Sequence, residues 1–404
     1  MLAISPSRLI VGAGSNLYSY AFNASPNATS PSVIFEGVIS LLGLFDNGRT
    51  ITGLTFIDDG GFDRTLHVAF QDGAIERVLL TQPTPKHVNQ SVSLSAIQSN
   101  LNPMPVGDFV ESLSSEANFV LTLSSTGYVR LSDLRSEHTN SSSSTIELNT
   151  RSWIAHLCLQ SSTPYAAFGT ASSAPLTIHS ITDSQLSPLP FAVLHTSKSI
   201  ESATERPHFS AVYGLSRGPL NSPWGSSPQI LVSGWFDGHV RCYDLRSSSW
   251  SSPEPISGKP STPAPLRPVL SLADRWSYEP IYSVSCGGGS ASYIAAGTAR
   301  HSVVSFWDVR SPKNGWSVHA PGNDPSPVYS VVLESSRFFG VTQSRPFVYD
   351  FVSYIILILI ERSLPFFSCR VLASQWTHIR PYLQSETSIT SSRRKAQIEP
   401  RTTY

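Results

Sequence analysis

Apolar and polar positions along this chain alternate in short runs instead of forming helical stripes. In "VRCYDLRS", Val240–Ser247, the apolar Val240 and Cys242 flank the polar Arg241. That period of two is what a strand with one buried face requires. Val129 and Leu131 repeat the spacing. The longer stretch "LVSGWFDGHVRCYDLRSS" reads as two short strands around a turn at Asp237 and Gly238. The chain is therefore expected to be all-β.

The hairpin recurs. "VRCYDLRS" returns as "VRLSDLRS" at Val129–Ser136 and as "VSFWDVRS" at Val304–Ser311. Each copy follows an apolar strand ("ILVSGWFDG", "FVLTLSSTG", "YIAAGTARH"), and each of those follows another ("SAVYGLSR", "DFVESLSS", "EPIYSVSC"). A further copy ends in Tyr349-Asp350, and three weaker ones fill the remainder of the first half, which makes seven units between Met1 and Phe351. A three- or four-stranded sheet leaves two faces and two edges unsatisfied. Seven of them packed radially bury the faces and leave only short edges.

On these residues the chain resembles the WD40 family of β-propellers over roughly 350 positions, although only Trp307-Asp308 keeps the family's dipeptide intact. The resemblance implies a seven-bladed WD40-like propeller over 1–351. It also implies a stabilising hydrogen-bond set in the fifth unit, with His208, Ser233, Asp237 and Tyr243 in the family's positions and Asp244 beside it, as Asp308 stands beside Trp307. Ring closure in such proteins joins strands from both chain ends. Here Met1 falls almost at the first strand, so either Tyr354–Ile360 completes the last blade or that blade stays incomplete with an open seam.

Residues 352–404 form a separate tail that departs from the pattern. Its apolar run Tyr354–Ile360 is too short for a membrane span, which needs about 20 residues. A closing strand, an exposed partner or membrane-surface segment, and a non-native tail from a gene-model error all remain open for it. Pro- and Ser-rich connections such as "PKHVNQSVSLSAIQSNLNPMP", "SEHTNSSSSTIELN" and "SSSWSSPEPISGKPSTPAPLRP" are expected to be surface loops.

Composition narrows the function. Charged residues make up 14% of the 404, against about 25% in average chains, and 28 Lys and Arg balance 28 Asp and Glu. No overall field attracts nucleic acid, and the basic Arg393-Arg394-Lys395 reads as a solvated tail. Cys158, Cys242, Cys286 and Cys369 form no CxxC pair, so neither a metal, a redox centre nor a cofactor is expected. The opening "MLAISPSRLIVGAG" is not a signal peptide, which makes a cytoplasmic or nuclear chain the expectation and Asn-X-Ser/Thr sites mere polar loops.

Three motifs could carry chemistry. "GLSRG", Gly214–Gly218, matches a nucleophile elbow, but Ser216 would need a helix behind it, and the Pro and Gly of "PLNSPWGSSPQ" exclude one. "CGGGSAS" would cradle phosphate only before a helix, and a strand follows. Asp58-Asp59 belongs to a hairpin turn with no ligand set around it. The expected function is therefore non-enzymatic protein binding.

The endings at Arg135, Arg246 and Arg310 look like the WDxR box of propellers that serve cullin–RING ubiquitin ligases as substrate receptors. That resemblance implies that the three arginines contact an adaptor while a substrate binds elsewhere. The repeats also look like fungal-type F-box/WD proteins, yet no F-box-like helices precede the first unit. A scaffold in another intracellular complex, of chromatin, trafficking or RNA processing, is the alternative.

Overall fold

The computed structural model describes residues 1–22, 33–41, 49–80, 96–100, 104–105, 108–134, 143–194, 210–247, 263–275, 277–321 and 325–351. All regular structure among them is strand, gathered into seven sheets in chain order. The first strand of each sheet touches the first strands of the neighbouring sheets, so these inner strands surround a common axis. The result is a seven-bladed β-propeller.

Blade 1 runs from Leu2–Ile4 through Arg8–Ala13 and Asn16–Phe22 to Val33–Ser40. Blade 2 begins at Ile51–Phe56 and ends at Ala96–Asn100, and blade 3 begins at Val110–Glu116 and ends at Ser143–Glu147. The inner strands of blades 4 to 7 are Ser152–Cys158, Val212–Arg217, Ile281–Gly287 and Val328–Glu334. Within a blade the strands are antiparallel and mostly follow one another outward. Starts of inner strands therefore share one face, called upper here, with the turns between second and third strands. Ends of third strands lie on the opposite, lower face.

Second strands lie between neighbouring blades, and their sequences show it. Thr65–Phe70, Tyr165–Thr170 and Ile230–Trp235 are buried at every position, so alternation gives way to continuous small and apolar residues. Close approach explains one glycine in each of three consecutive blades. A Cβ on Gly169 would lie 2.6 Å from the Val212 carbonyl oxygen of blade 5, and on Gly234 2.6 Å from Ile281 Cγ2 of blade 6. On Gly297 it would lie 2.8 Å from the Val328 oxygen of blade 7. Hydroxyls add cross-links between inner strands. Ser112 and Ser114 of blade 3 accept from the Ala155 and Leu157 amides of blade 4, at 3.1 and 3.0 Å, and Ser285 accepts from Leu333 at 3.0 Å. Each such bond contributes about 1 kcal/mol net.

Several stretches expected to be loops hold outer strands. Ala96–Asn100 completes blade 2 and Ser143–Glu147 completes blade 3, the latter alternating exposed and buried residues. The Pro-rich insertion of blade 5 contains Ala264–Pro265, which pairs in parallel with Ala192–Leu194 and so extends blade 4 before the chain returns to its own blade at Leu270–Ala273. The Ala264 amide donates to Phe191 and the Leu266 amide to Val193. Blade 5 is thus strapped to the outer edge of its neighbour.

Blade 7 has three strands among the described residues. Leu2–Ile4 is the inner strand of blade 1, so it does not complete the last blade. Blades 1 and 7 meet through side chains, with Leu9, Val11, Tyr18 and Tyr20 packed on Phe339, Val341 and Val348. The expectations for Tyr354–Ile360, and for the tail 352–404, fall outside the described residues.

Candidate docking site at the channel mouth

Six of the seven inner strands carry a register break at the same place. In blade 2 Ile51 pairs with Phe70 and Gly53 with Ala69, which leaves Thr52 unopposed. The same break leaves Glu111 unopposed in blade 3, Trp153 in blade 4, Tyr213 in blade 5, Tyr282 in blade 6 and Tyr329 in blade 7. A bulge of this kind bends its strand and re-aims one side chain. All six unopposed residues line a central cavity of about 500 Å³ that opens on the upper face.

Four of the six are aromatic and form a continuous arc. Trp153 meets Tyr213 edge-on at 4.7 Å between ring centroids, Tyr213 meets Tyr282 at 5.2 Å, and Tyr282 stacks on Tyr329 at 6.1 Å. Phe236, from the adjoining turn of blade 5, extends the arc at 6.0 Å from Tyr213. Phe236 and Tyr329 are exposed. Burial pushes the Tyr213 and Tyr329 phenols up, and the neighbouring Tyr282 adds to both shifts, so both stay protonated at neutral pH.

The polar side of the mouth is small. Glu111 accepts from Arg151 Nη2 at 2.9 Å, while Arg151 Nη1 donates to the Ser125 carbonyl at 3.2 Å. The same guanidinium lies over the Trp153 ring at 4.0 Å. Burial raises the Glu111 pKa and Arg151 counteracts it. Beneath the rim, Leu54, Leu113, Leu215, Val284 and Val331 make an apolar floor.

None of these residues stands out as a site in the sequence read alone. The signal was present in "TGL", "ESL", "YGL", "YSV" and again "YSV", a bulged residue followed by Gly or Ser and then Leu or Val. Gly or Ser lets the chain turn at the break, and the third residue supplies the floor.

The residues singled out from the sequence lie elsewhere. Arg246 and Arg310 stand on the lower face, at the ends of the third strands of blades 5 and 6. Arg246 is bidentate to Asp244, at 2.8 and 2.7 Å, and also donates to the Trp224 carbonyl. Arg310 grips Asp308 in the same way and reaches Ser290 Oγ at 3.4 Å. The side-chain hydrogen bond from Arg246 lowers the Asp244 pKa, and that from Arg310 lowers Asp308 to about 2. Both arginine side chains are still nearly half exposed, at 43% and 47%. Arg135 falls outside the described residues.

His208 falls outside them too, so the rest of its set stands as follows. The buried Ser233 hydroxyl accepts from the Trp235 indole at 2.6 Å and donates to the Arg241 carbonyl at 3.3 Å. Asp237 pairs with Arg241 at 2.7 Å and accepts from the His239 amide. Burial opposes its ionisation, but Arg241 holds its pKa below the usual range. Tyr243 and Trp307 are core residues, in the clusters between blades 4 and 5 and between blades 5 and 6.

The motifs tested for chemistry are ordinary strand and turn. Ser216 sits within Val212–Arg217 and donates to the Arg217 carbonyl, and Gly288–Ser292 turns directly into Tyr293–Thr298. Burial raises the Cys158 and Cys242 thiols, the latter to about 12. Among the described residues no group of His, Cys, Asp and Glu is placed to hold a metal ion, and no helix is long and apolar enough to cross a membrane.

Comparison with known proteins places the architecture. No family model matches the chain, and no curated protein does. Among solved structures 1341 chains match, which marks the fold as a common one. One is a chain of a crystal structure of the mitotic checkpoint complex, 13% identical, with a TM-score of 0.54 over 86% of this chain and 88% of that one. The protein is a seven-bladed β-propeller.

Proposed function

We propose that the protein is a non-enzymatic interaction scaffold that holds a partner protein on its upper face, over the channel mouth. The bulge ring carries this reading. Six blades use one backbone device to aim a side chain at one place, and four of them aim an aromatic. Aromatic side chains clustered at a rim are the residues that dominate protein interfaces. The test is affinity purification of the tagged protein from its native cells, beside a Tyr213→Ala/Tyr282→Ala variant. Partners recovered with wild type and lost with the variant support the reading. An unchanged partner set from a variant that melts like wild type sinks it.

Within that role we propose a substrate-recognition subunit of a cullin–RING ubiquitin ligase, working in the cytoplasm or nucleus. Arg246 and Arg310 support it, because they stand at equivalent turns of adjacent blades on the face opposite the mouth. Each is oriented by its own Asp and keeps part of its fork for a second acceptor. A ligase adaptor on the lower face would leave the upper one for substrate. Cullin and adaptor recovered with wild type and lost with Arg246→Ala/Arg310→Ala is the expected result. Recovery of neither with either protein removes the ligase role and leaves a scaffold of another complex, of chromatin, trafficking or RNA processing.

A further inference from the structure

We infer that the channel mouth takes an uncharged apolar side chain of the partner, aromatic or aliphatic, as a buried anchor. The inference rests on the scaffold reading and names the chemistry of its site.

Charge decides the occupant. Among the described residues Glu111 is the one acidic or basic side chain lining the cavity, and it is already committed to Arg151. Arg151 in turn spends its remaining contacts on the Ser125 carbonyl and the Trp153 ring. A partner's lysine or arginine entering the cavity would shed its hydration over Leu54, Leu113, Leu215, Val284 and Val331 and find no free carboxylate. The ring faces would attract a cation, but by less than stripping its hydration and leaving it without a counter-ion costs. An apolar side chain would instead exclude water from the same floor and meet aromatic faces on Trp153, Tyr213, Tyr282 and Tyr329. Its peptide groups would lie at rim height, beside phenol hydroxyls that donate as well as accept. A volume of about 500 Å³ holds one large side chain with its flanking backbone. Anchors of this kind, seated in a central pocket, carry most of the energy of many interfaces.

The experiment titrates the purified full chain with four blocked amino acids, N-acetyl-tryptophanamide, -leucinamide, -lysinamide and -argininamide, by ligand-observed NMR. The tryptophan and leucine amides are expected to bind with Kd of about 1–10 mM, the cationic pair at least about tenfold more weakly. Thr52→Trp places at blade 2 the residue that blade 4 already accommodates at the same bulge, so it narrows the mouth without a new backbone demand. It is expected to abolish tryptophanamide binding while the melting temperature stays unchanged. Arg151→Gln frees Glu111 and is expected to turn the preference toward the cationic amides. Equal or tighter binding of the cationic pair to wild type overturns the inference, as does tryptophanamide binding that survives Thr52→Trp, or no binding by any of the four. The scaffold reading fails separately, on the partner set recovered from cells.

Discussion

On blades 4 to 7 the bulged residue at the channel mouth is Trp153, Tyr213, Tyr282 or Tyr329, whereas on blades 2 and 3 it is Thr52 or Glu111. The backbone device is the same in both halves, and so is the small residue that usually follows it. What differs is the side chain it presents. The aromatic half offers a broad apolar wall, while the other half places there a threonine and one carboxylate already tied to Arg151. In the proposed scaffold role, a partner's apolar contacts are expected on blades 4 to 7. Propeller geometry fixes where a side chain points, and the residue placed at the bulge decides what it meets.

A second-strand glycine of one half and an inner-strand glycine of the other also differ in what lies against them, which gives the largest predicted effect. A Cβ on Gly297 would lie 2.8 Å from a backbone oxygen, but on Gly53 it would meet only side-chain atoms, the nearest at 3.1 Å. Gly297→Ala is expected to destabilise by about 2–3 kcal/mol and Gly53→Ala by about 1 kcal/mol or less, read from denaturant midpoints. Equal losses would break the comparison.

Next comes Tyr282→Ala, which removes the centre of the arc. Partner binding is expected to weaken by about 2 kcal/mol, while stability changes by less than about 1 kcal/mol because the ring stands at a rim. Thr52→Ala, its counterpart in the polar half, is expected to leave binding unchanged. Titration calorimetry with a recovered partner distinguishes the two.

Ser233→Ala strips the Trp235 indole of a buried acceptor and is expected to cost about 1 kcal/mol, again by denaturant titration. An unchanged midpoint would mean that another acceptor replaces the hydroxyl.

A dependence on pH completes the comparison. Burial, with Arg77 second, pulls His67 in blade 2 from 6.5 to about 4. Burial, with Arg217 second, does the same to His156 in blade 4. Between those values the unfolded chain binds protons that the folded chain refuses, so stability falls as pH drops from 6.5 toward 4 and levels off below. His67→Gln and His156→Gln are each expected to flatten that slope in part. A slope unchanged in both variants assigns it to other groups.

Much of this was legible in the chain. Seven units could be counted because the second and third strands carry strong signals, continuous small and apolar residues in Ile230–Trp235 and a polar ending such as Asp244-Leu245-Arg246. Outer strands were not, since Ser143–Glu147 buries only Ser144 and Ile146 and lies in a run of serines that reads as loop. The strand Ala264–Pro265 has no local signal at all, because its partner belongs to another blade. The mouth escaped for a related reason. "VYG", "IYS" and "VYS" are visible repeats, but a bulge is a relation between two strands, and only their register shows that the tyrosine is the residue left over. The arginines drew attention because they end a recognisable box, and Arg246 and Arg310 prove tethered to the Asp two residues before.

The junction of the first and last blades has a consequence for synthesis. Leu9, Val11 and Tyr20 pack on Phe339, Val341 and Val348, residues synthesised more than 300 positions later. At about 5–20 residues per second the apolar flank of blade 1 waits roughly 15–70 s for its cover. Nascent chains halted before Val328 are accordingly expected to bind a hydrophobic dye that the finished chain excludes, and to be held by chaperones until then.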